Sequence, residues 1–389
     1  MRSFPLRVFW LITPLLMSIG CSEDAQTPTA PRMEPSSPTT TSVTFRQISA
    51  GIQHTCGVTT DDVGYCWGLL VEDSGPQGFP RLVAGGHSFR SIAVGFNFSC
   101  GVTTENRASC WGINAFGTLG DGTTDESATP VPVHGGLSFR QVSAGDYHAC
   151  GVTTEDRAYC WGTNSFGQLG DGTRNDHFTP IAVVGNLRFR TVSAGGQHSC
   201  GLTTDGRAFC WGRNRYGQLG DSSGVRGLRL RPTLVVGAHQ FRQLDAGFRH
   251  TCGVTTDDRA FCWGDGTTGA LGNGKTYLSW WPRRVAGTLA FQRVSAGNLF
   301  TCAVTQSQKA YCWGSPDHGE LGDGTTVQRL TPRPVLGGLL FVDASAGGSH
   351  TCGVTTDGVA YCWGLNDQGQ LGDGTLIDRH TPTRVAAPR

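Results

Sequence analysis

The sequence predicts an all-β protein: a seven-bladed β-propeller with about four short antiparallel strands per blade. Three observations lead there. A unit built around two cysteines recurs seven times at a period near 50 residues, the mark of a propeller or solenoid array. Each unit alternates short apolar runs with turn residues and carries no sustained helical stripe. Gly supplies 57 of 389 residues and Met only 3, which favours turns and short strands over long helices. Length alone argues for two or three domains. The repeat replaces them with one domain over residues 45–389.

The chain opens with Arg2 and Arg7 flanking the start of an apolar run from Val8 to Met17, broken by Pro14. That is short for a membrane span and suits an export signal over residues 1–20. Gly20 directly before Cys21 resembles the lipobox of bacterial lipoproteins, in which the Cys is acylated and becomes the new N-terminus. Ser18 stands where that pattern usually has Leu. The competing reading is an ordinary signal peptide cleaved nearby. Residues 21–44 are rich in Pro, Thr and Ser. They hold too little apolar surface for a core and read as a tether. The expected location is the bacterial cell envelope, lipid-anchored in the periplasm or on the outer surface, or secretion.

The clearest unit runs from Phe139 to Gly172. FRQVSAG reads as a strand. HACGVTT and RAYCWG read as a hairpin around Glu155. A Gly- and Asn-rich loop follows, and TPIAV supplies a fourth strand. Centring the hairpin on Glu155 sets Cys150 opposite Cys160 and Gly151 opposite Tyr159. Alternation then puts Cys150, Val152, Ala158 and Cys160 on one face, and Tyr159 and Trp161 on the other. Gly151 would leave room for the Tyr159 ring over bare backbone. Trp67, Trp111, Trp161, Trp211, Trp263, Trp313 and Trp363 align and are expected to pack between blades. Unit one is about six residues short and lacks the GQLGDGT stretch, so the seam or an atypical blade is expected there.

The landmark cysteines fall into seven pairs, each with nine residues between its members. Cys56 goes with Cys66, Cys100 with Cys110, Cys150 with Cys160 and Cys200 with Cys210. Cys252 goes with Cys262, Cys302 with Cys312 and Cys352 with Cys362. An exported chain meets an oxidising compartment, so disulfides within hairpins are expected. Pairing between blades is the next reading, and zinc competes, although nine intervening residues is no zinc-finger spacing. The chain has 15 Cys; seven pairs leave Cys21, the proposed lipid site.

The carriers SAGxxHTCGVTTDxRAYCWG and GQLGDGT resemble the regulator of chromosome condensation repeat family across residues 45–385. The resemblance implies a closed seven-bladed ring. Founding members of that family exchange guanine nucleotide on a small nuclear GTPase and dock on chromatin. A plant photoreceptor relative uses interblade Trp, and a secreted bacterial relative inhibits β-lactamases. Paired hairpin Cys and an export signal depart from the founder and argue against carrying exchange activity over.

Charge excludes other classes. Lys+Arg is 31 and Asp+Glu 30, which gives no bulk drive toward nucleic acid or an anionic membrane. The stretch Gly269–Thr276 matches a phosphate-binding loop in letters only: Tyr277-Leu-Ser-Trp-Trp-Pro follows it, which starts no helix. His54, His148, His198, His250 and His350 share a repeat position with Phe98 and Phe300, so a packed, hydrogen-bonded site is expected there and no metal. Asp121, Asp171, Asp323 and Asp373 read as turn formers, not calcium ligands. Asp317, His318 and Glu320 form a local acid–base cluster best read as a solvated loop. No nucleophile elbow or His-Glu-x-x-His occurs, and neither a cofactor nor an enzyme is expected.

Variation on this frame is where function is expected. The two residues before each His or Phe of the shared position differ in every unit and should lie on one propeller face. Phe96, Asn97, Asp146, Tyr147, Phe248 and Arg249 are the partner-binding candidates among them. Trp280 and Trp281 are further candidates, as anchor or as cover for the blade. Arg226, Arg229 and Arg231 form a local basic loop. The expected protein is a monomeric, envelope-anchored scaffold that recognises an envelope or extracellular protein or ligand. A secreted or tethered enzyme inhibitor is the first alternative, and guanine-nucleotide exchange as in the founding family, disfavoured by export, is the second.

Overall fold

The computed structural model describes residues 43–71, 75–224 and 227–389. The signal segment, Cys21, the tether up to residue 42 and Arg226 lie outside the described residues. Twenty-eight strands and no helix occur among those described. They form seven four-stranded antiparallel sheets, each from four consecutive strands. The first blade uses Phe45–Ala50, His54–Thr59, Gly64–Gly68 and Gln77–Leu82; the seventh uses Phe341–Ala346, His350–Thr355, Ala360–Gly364 and Arg379–Arg384. No strand is borrowed across the seam. Blade seven meets blade one through hydrogen bonds, such as Gly348 N–H to the Gly51 carbonyl (2.9 Å) and Gly374 N–H to that of Gly78 (2.8 Å).

The third blade keeps the register read from the sequence. Cys150 faces Cys160, Gly151 faces Tyr159 and Val152 faces Ala158. Cys150 and Cys160 have Cα atoms 4.0 Å apart, the close spacing of a pair that exchanges no backbone hydrogen bonds. Every hairpin closes its own disulfide, and none joins two blades. Cys56 is bonded to Cys66, Cys100 to Cys110, Cys150 to Cys160 and Cys200 to Cys210. Cys252 is bonded to Cys262, Cys302 to Cys312 and Cys352 to Cys362. The alternative of interblade pairing therefore falls away, because each Cys is bonded to its partner directly across the hairpin. One expectation is corrected. The ring over bare Gly151 is Phe139, not Tyr159: a Cβ on Gly151 would lie 2.6 Å from Phe139 Cδ1. A β-bulge at Arg140, between Phe139 opposite Thr153 and Gln141 opposite Val152, re-aims Phe139 across the second strand. Tyr159 stays half-buried at the blade surface.

The core repeats between blades. Cys150, Val152, Ala158, Cys160 and Leu169 of blade three pack against Phe189, Val192 and Trp211 of blade four. The disulfide face of one blade thus meets the Trp face of the next. Near the channel, a ring of seven glycines brings the blades into backbone contact. A Cβ on Gly145 would lie 2.3 Å from the Gly195 carbonyl, and one on Gly347 equally close to that of Gly51. Only Gly allows that approach.

Candidate functional site: the channel mouth

The glycine ring fixes the loops that follow each first strand. Asp146 N–H donates to the Gly195 carbonyl (3.3 Å), Phe248 N–H to Gly297 (3.2 Å) and Asn298 N–H to Gly347 (3.2 Å). Phe96, Gly196 and Gly348 are held in the same way, so six of the seven variable pairs are fixed by the neighbouring blade. Ile52, Asp146, Gly196, Phe248, Asn298 and Gly348 line one mouth of the central channel. Asp146 and Phe248 converge over Gly196, whose added Cβ would meet Phe248 Cδ2 at 2.6 Å and Asp146 Oδ2 at 3.2 Å. Burial pushes the Asp146 carboxyl up to about 6.

The second member of each pair meets an outer loop. Tyr147 packs between Phe96 (centroids 5.5 Å apart, rings tilted) and Phe116 (5.0 Å, edge-to-face). The Arg249 guanidinium lies 5.0 Å from the ring centroids of both Phe248 and Tyr216. Arg213 covers Phe166 at 4.7 Å and donates to Gln197. Phe116, Phe166 and Tyr216 were not among the sequence candidates. Their signal is readable: each directly precedes the Gly of a Gly-x-Leu-Gly loop in units two to four, where units five to seven carry Thr268, His318 and Gln368. The result is an aromatic and basic arc over blades two to five, one acidic group at its inner edge.

The remaining candidates lie elsewhere. Asn97 lines a cavity between blades one and two. Trp280 and Trp281 are on the fourth, outermost strand of blade five, Ser279–Arg284. Trp281 is exposed with Arg283 over its ring at 4.6 Å, whereas the Trp280 Nε1 is buried without a partner. One Trp is thus displayed and the other folds in. Arg229 pairs with Asp221 at 2.8 Å, as Arg329 does with Asp323 and Arg379 with Asp373; it is a loop brace.

The apparent chemistry resolves into structure. Gly269–Thr276 is loop that leads to the strand Ser279–Arg284. His148 Nε2 is 2.8 Å from Ser199 Oγ, which donates to the Gln168 carbonyl. The imidazole Nε2–H therefore donates to the hydroxyl. Equivalent bonds join His198 to Thr251, His250 to Thr301 and His350 to Thr55. Burial pushes His148, His198 and His350 down to about 3 and His54 and His250 to about 4. Asp171 accepts from Thr173 N–H and Asn164 Nδ2, a turn brace. Glu320 is buried and accepts from His318 N–H (2.8 Å), the bond that Gln168 makes to Phe166 N–H. His318 itself meets Asp378 at 3.0 Å. No cluster of three or more potential metal ligands occurs among the described residues.

A family model described as the RCC1-like domain matches residues 16–292 and 80–389. The chain belongs to the RCC1-like domain family. The ring is similar to human WBSCR16 (TM-score 0.73, 23% identity, 80% of this chain and 84% of that one). Prp20p of Saccharomyces cerevisiae, studied for its binding to Gsp1p and histones, aligns with TM-score 0.73 and 22% identity over 88% of this chain and 87% of its own. The CRINKLY WD40 ectodomain of the Arabidopsis thaliana receptor kinase ACR4 aligns with TM-score 0.56 and 22% identity over 89% and 99%. A comparison with curated proteins finds no match. These RCC1-like likenesses bear on fold. The seven disulfides point to an oxidising, non-cytosolic setting.

Proposed function

We propose that this RCC1-like propeller is an envelope-anchored recognition scaffold, with Cys21 as its acylated anchor and the channel mouth as its contact face. The observation that carries this reading is the arc of Phe96, Tyr147, Phe116, Phe248, Arg249 and Tyr216. Tyr and Arg are the side chains that most often dominate interface energetics. Rigid blades hold them, so little ordering entropy opposes association. The partner is an envelope or extracellular protein or ligand; nucleic acid finds no drive in a net charge of +1. An inhibitor acting through the same arc is the second reading, favoured by the single acidic group at its edge.

The test places a photo-crosslinking residue at position 147 and, as control, at 281 in the cellular protein. A defined adduct from 147 that disappears in Arg249→Ser supports the reading. Equal labelling from both positions, or none, rejects it. Cys21→Ser is expected to release the chain from membranes and to abolish incorporation of labelled fatty acid.

A further inference from the structure

Six of the seven blade junctions are sealed by the same device. A Leu from the loop of one blade is fully buried: Leu119, Leu169, Leu219, Leu271, Leu321 and Leu371. The carbonyl just before it accepts the indole Nε1–H of the next blade's Trp, at 2.9 Å from Trp211 to Gln168 and from Trp67 to Gln370. At five of the six the same carbonyl also accepts a hydroxyl, as from Ser199 at 2.8 Å and from Thr55 at 2.9 Å; at the sixth the position is Ala149.

The junction of blades one and two departs from this. Blade one has only residues 69–76 between its third and fourth strands, where blade three has 163–176, and no Gly-x-Leu-Gly. Both donors are nevertheless present. Trp111 and Ser99 line a cavity of about 240 Å³ together with Asn97, Phe98 and blade one's own Leu69, Leu70 and Val71; Leu70 packs against the Trp111 cluster but is only partly buried. Trp111 is 7% exposed, while its six counterparts are 0% exposed. No carbonyl accepts from its Nε1 or from Ser99 among the described residues. Leu82, 63% exposed, and Ile113 stand at the rim.

We propose that this cleft binds a peptide segment of a partner protein that carries Leu-Gly, supplying in trans the loop that blade one lacks. The Leu side chain would fill the apolar cavity, and the carbonyl before it would accept from Trp111 Nε1 and Ser99 Oγ. The occupant is specified by six internal examples of what this pocket type holds. The site is separate from the channel mouth, and the proposal stands without that reading.

The probe is the blocked octapeptide Phe-Gly-Gln-Leu-Gly-Asp-Gly-Thr, the chain's own residues 166–173. It is titrated into the full chain with disulfides intact, by calorimetry and by the Trp111 indole resonance. Saturable binding is expected, with that resonance shifting. Replacing the peptide's Leu by Ala should weaken binding at least tenfold, as should Trp111→Phe combined with Ser99→Ala. Grafting loop 163–176 in place of 69–76 should abolish binding and raise the melting temperature, which also confirms folding. No binding at millimolar peptide overturns the proposal. So does binding that survives the graft. Displacement of a fatty acid from the cleft with no peptide binding would assign it to lipid instead and equally overturn it.

Discussion

The Trp211 indole donates its Nε1 hydrogen to the Gln168 carbonyl of the preceding blade, 2.9 Å away. Beside it, Gly170 sits at φ +68°, and a Cβ there would lie 2.7 Å from the same nitrogen. One indole thus binds a neighbouring loop by hydrogen bond and by close packing. The device operates at six junctions and, among the described residues, is missing at Trp111.

That asymmetry predicts unequal costs. Trp211→Phe should destabilise by about 1–3 kcal/mol, from a lost buried hydrogen bond and a small cavity. Trp111→Phe should cost less than half as much. Paired denaturant melts of the two variants decide it; equal losses would contradict the account.

The buried imidazoles predict acid lability. Their values fall from 6.5 to about 3 or 4 in the folded chain. Unfolding therefore takes up protons below pH 6.5, and stability falls as pH drops toward 4. Each His contributes a slope of up to about 1.4 kcal/mol per pH unit. Burial has raised the carboxyls of Asp146, Asp245 and Glu320 to about 6, and they oppose this trend in part. His198→Phe copies what Phe98 and Phe300 already do, and leaves Thr251 bonded to the Gln218 carbonyl. Its melting temperature should vary less between pH 6.5 and 4 than that of the parent.

Glu320 predicts the opposite sign. Its folded value is raised mainly by burial, from 4.5 to about 6, so ionising it costs stability above pH 4.5. Glu320→Gln keeps the acceptor for His318 N–H and removes the charge. The variant should be more stable by up to about 2 kcal/mol at pH 8 and unchanged below pH 4.5. Melting curves at the two pH values check it.

The disulfides predict resistance to reduction. Their sulfurs belong to residues 0–3% exposed, so reductant should reach them only as blades open. Peptide mapping without reductant should recover seven linked pairs. Cys150→Ala with Cys160→Ala should cost about 2–3 kcal/mol.

The glycine ring predicts a sharp contrast. Gly145→Ala forces a Cβ to within 2.3 Å of the Gly195 carbonyl and should abolish folding or sharply lower the melting temperature. Gly86 sits at φ +64° with nothing within 4 Å of an added Cβ, so Gly86→Ala meets only backbone strain of about 1 kcal/mol. Expression and thermal melts separate the two.

Much of this was legible in the residues. Hairpin register followed from cysteine spacing and a centred turn, because pairing in a tight hairpin is a local property. Phe139 over Gly151 was not legible, because a bulge re-aims the ring and no spacing announces it. Phe116, Phe166 and Tyr216 were visible as aromatics in a repeated loop. Their meeting with Tyr147, Arg213 and Arg249 depends on the next blade's position.

By itself, the sequence determined the number of blades, the strand order within each, and the pairing partners across each hairpin. Those depend on contacts tens of residues apart at most. Tertiary structure alone decided how the ring closes, which side chains form the arc at the channel mouth, and that the Trp111 indole, among the described residues, meets no loop carbonyl as the other six do. These are contacts between repeats, set by how one blade's loop reaches its neighbour's second and third strands. A single unit's pattern carries no record of them.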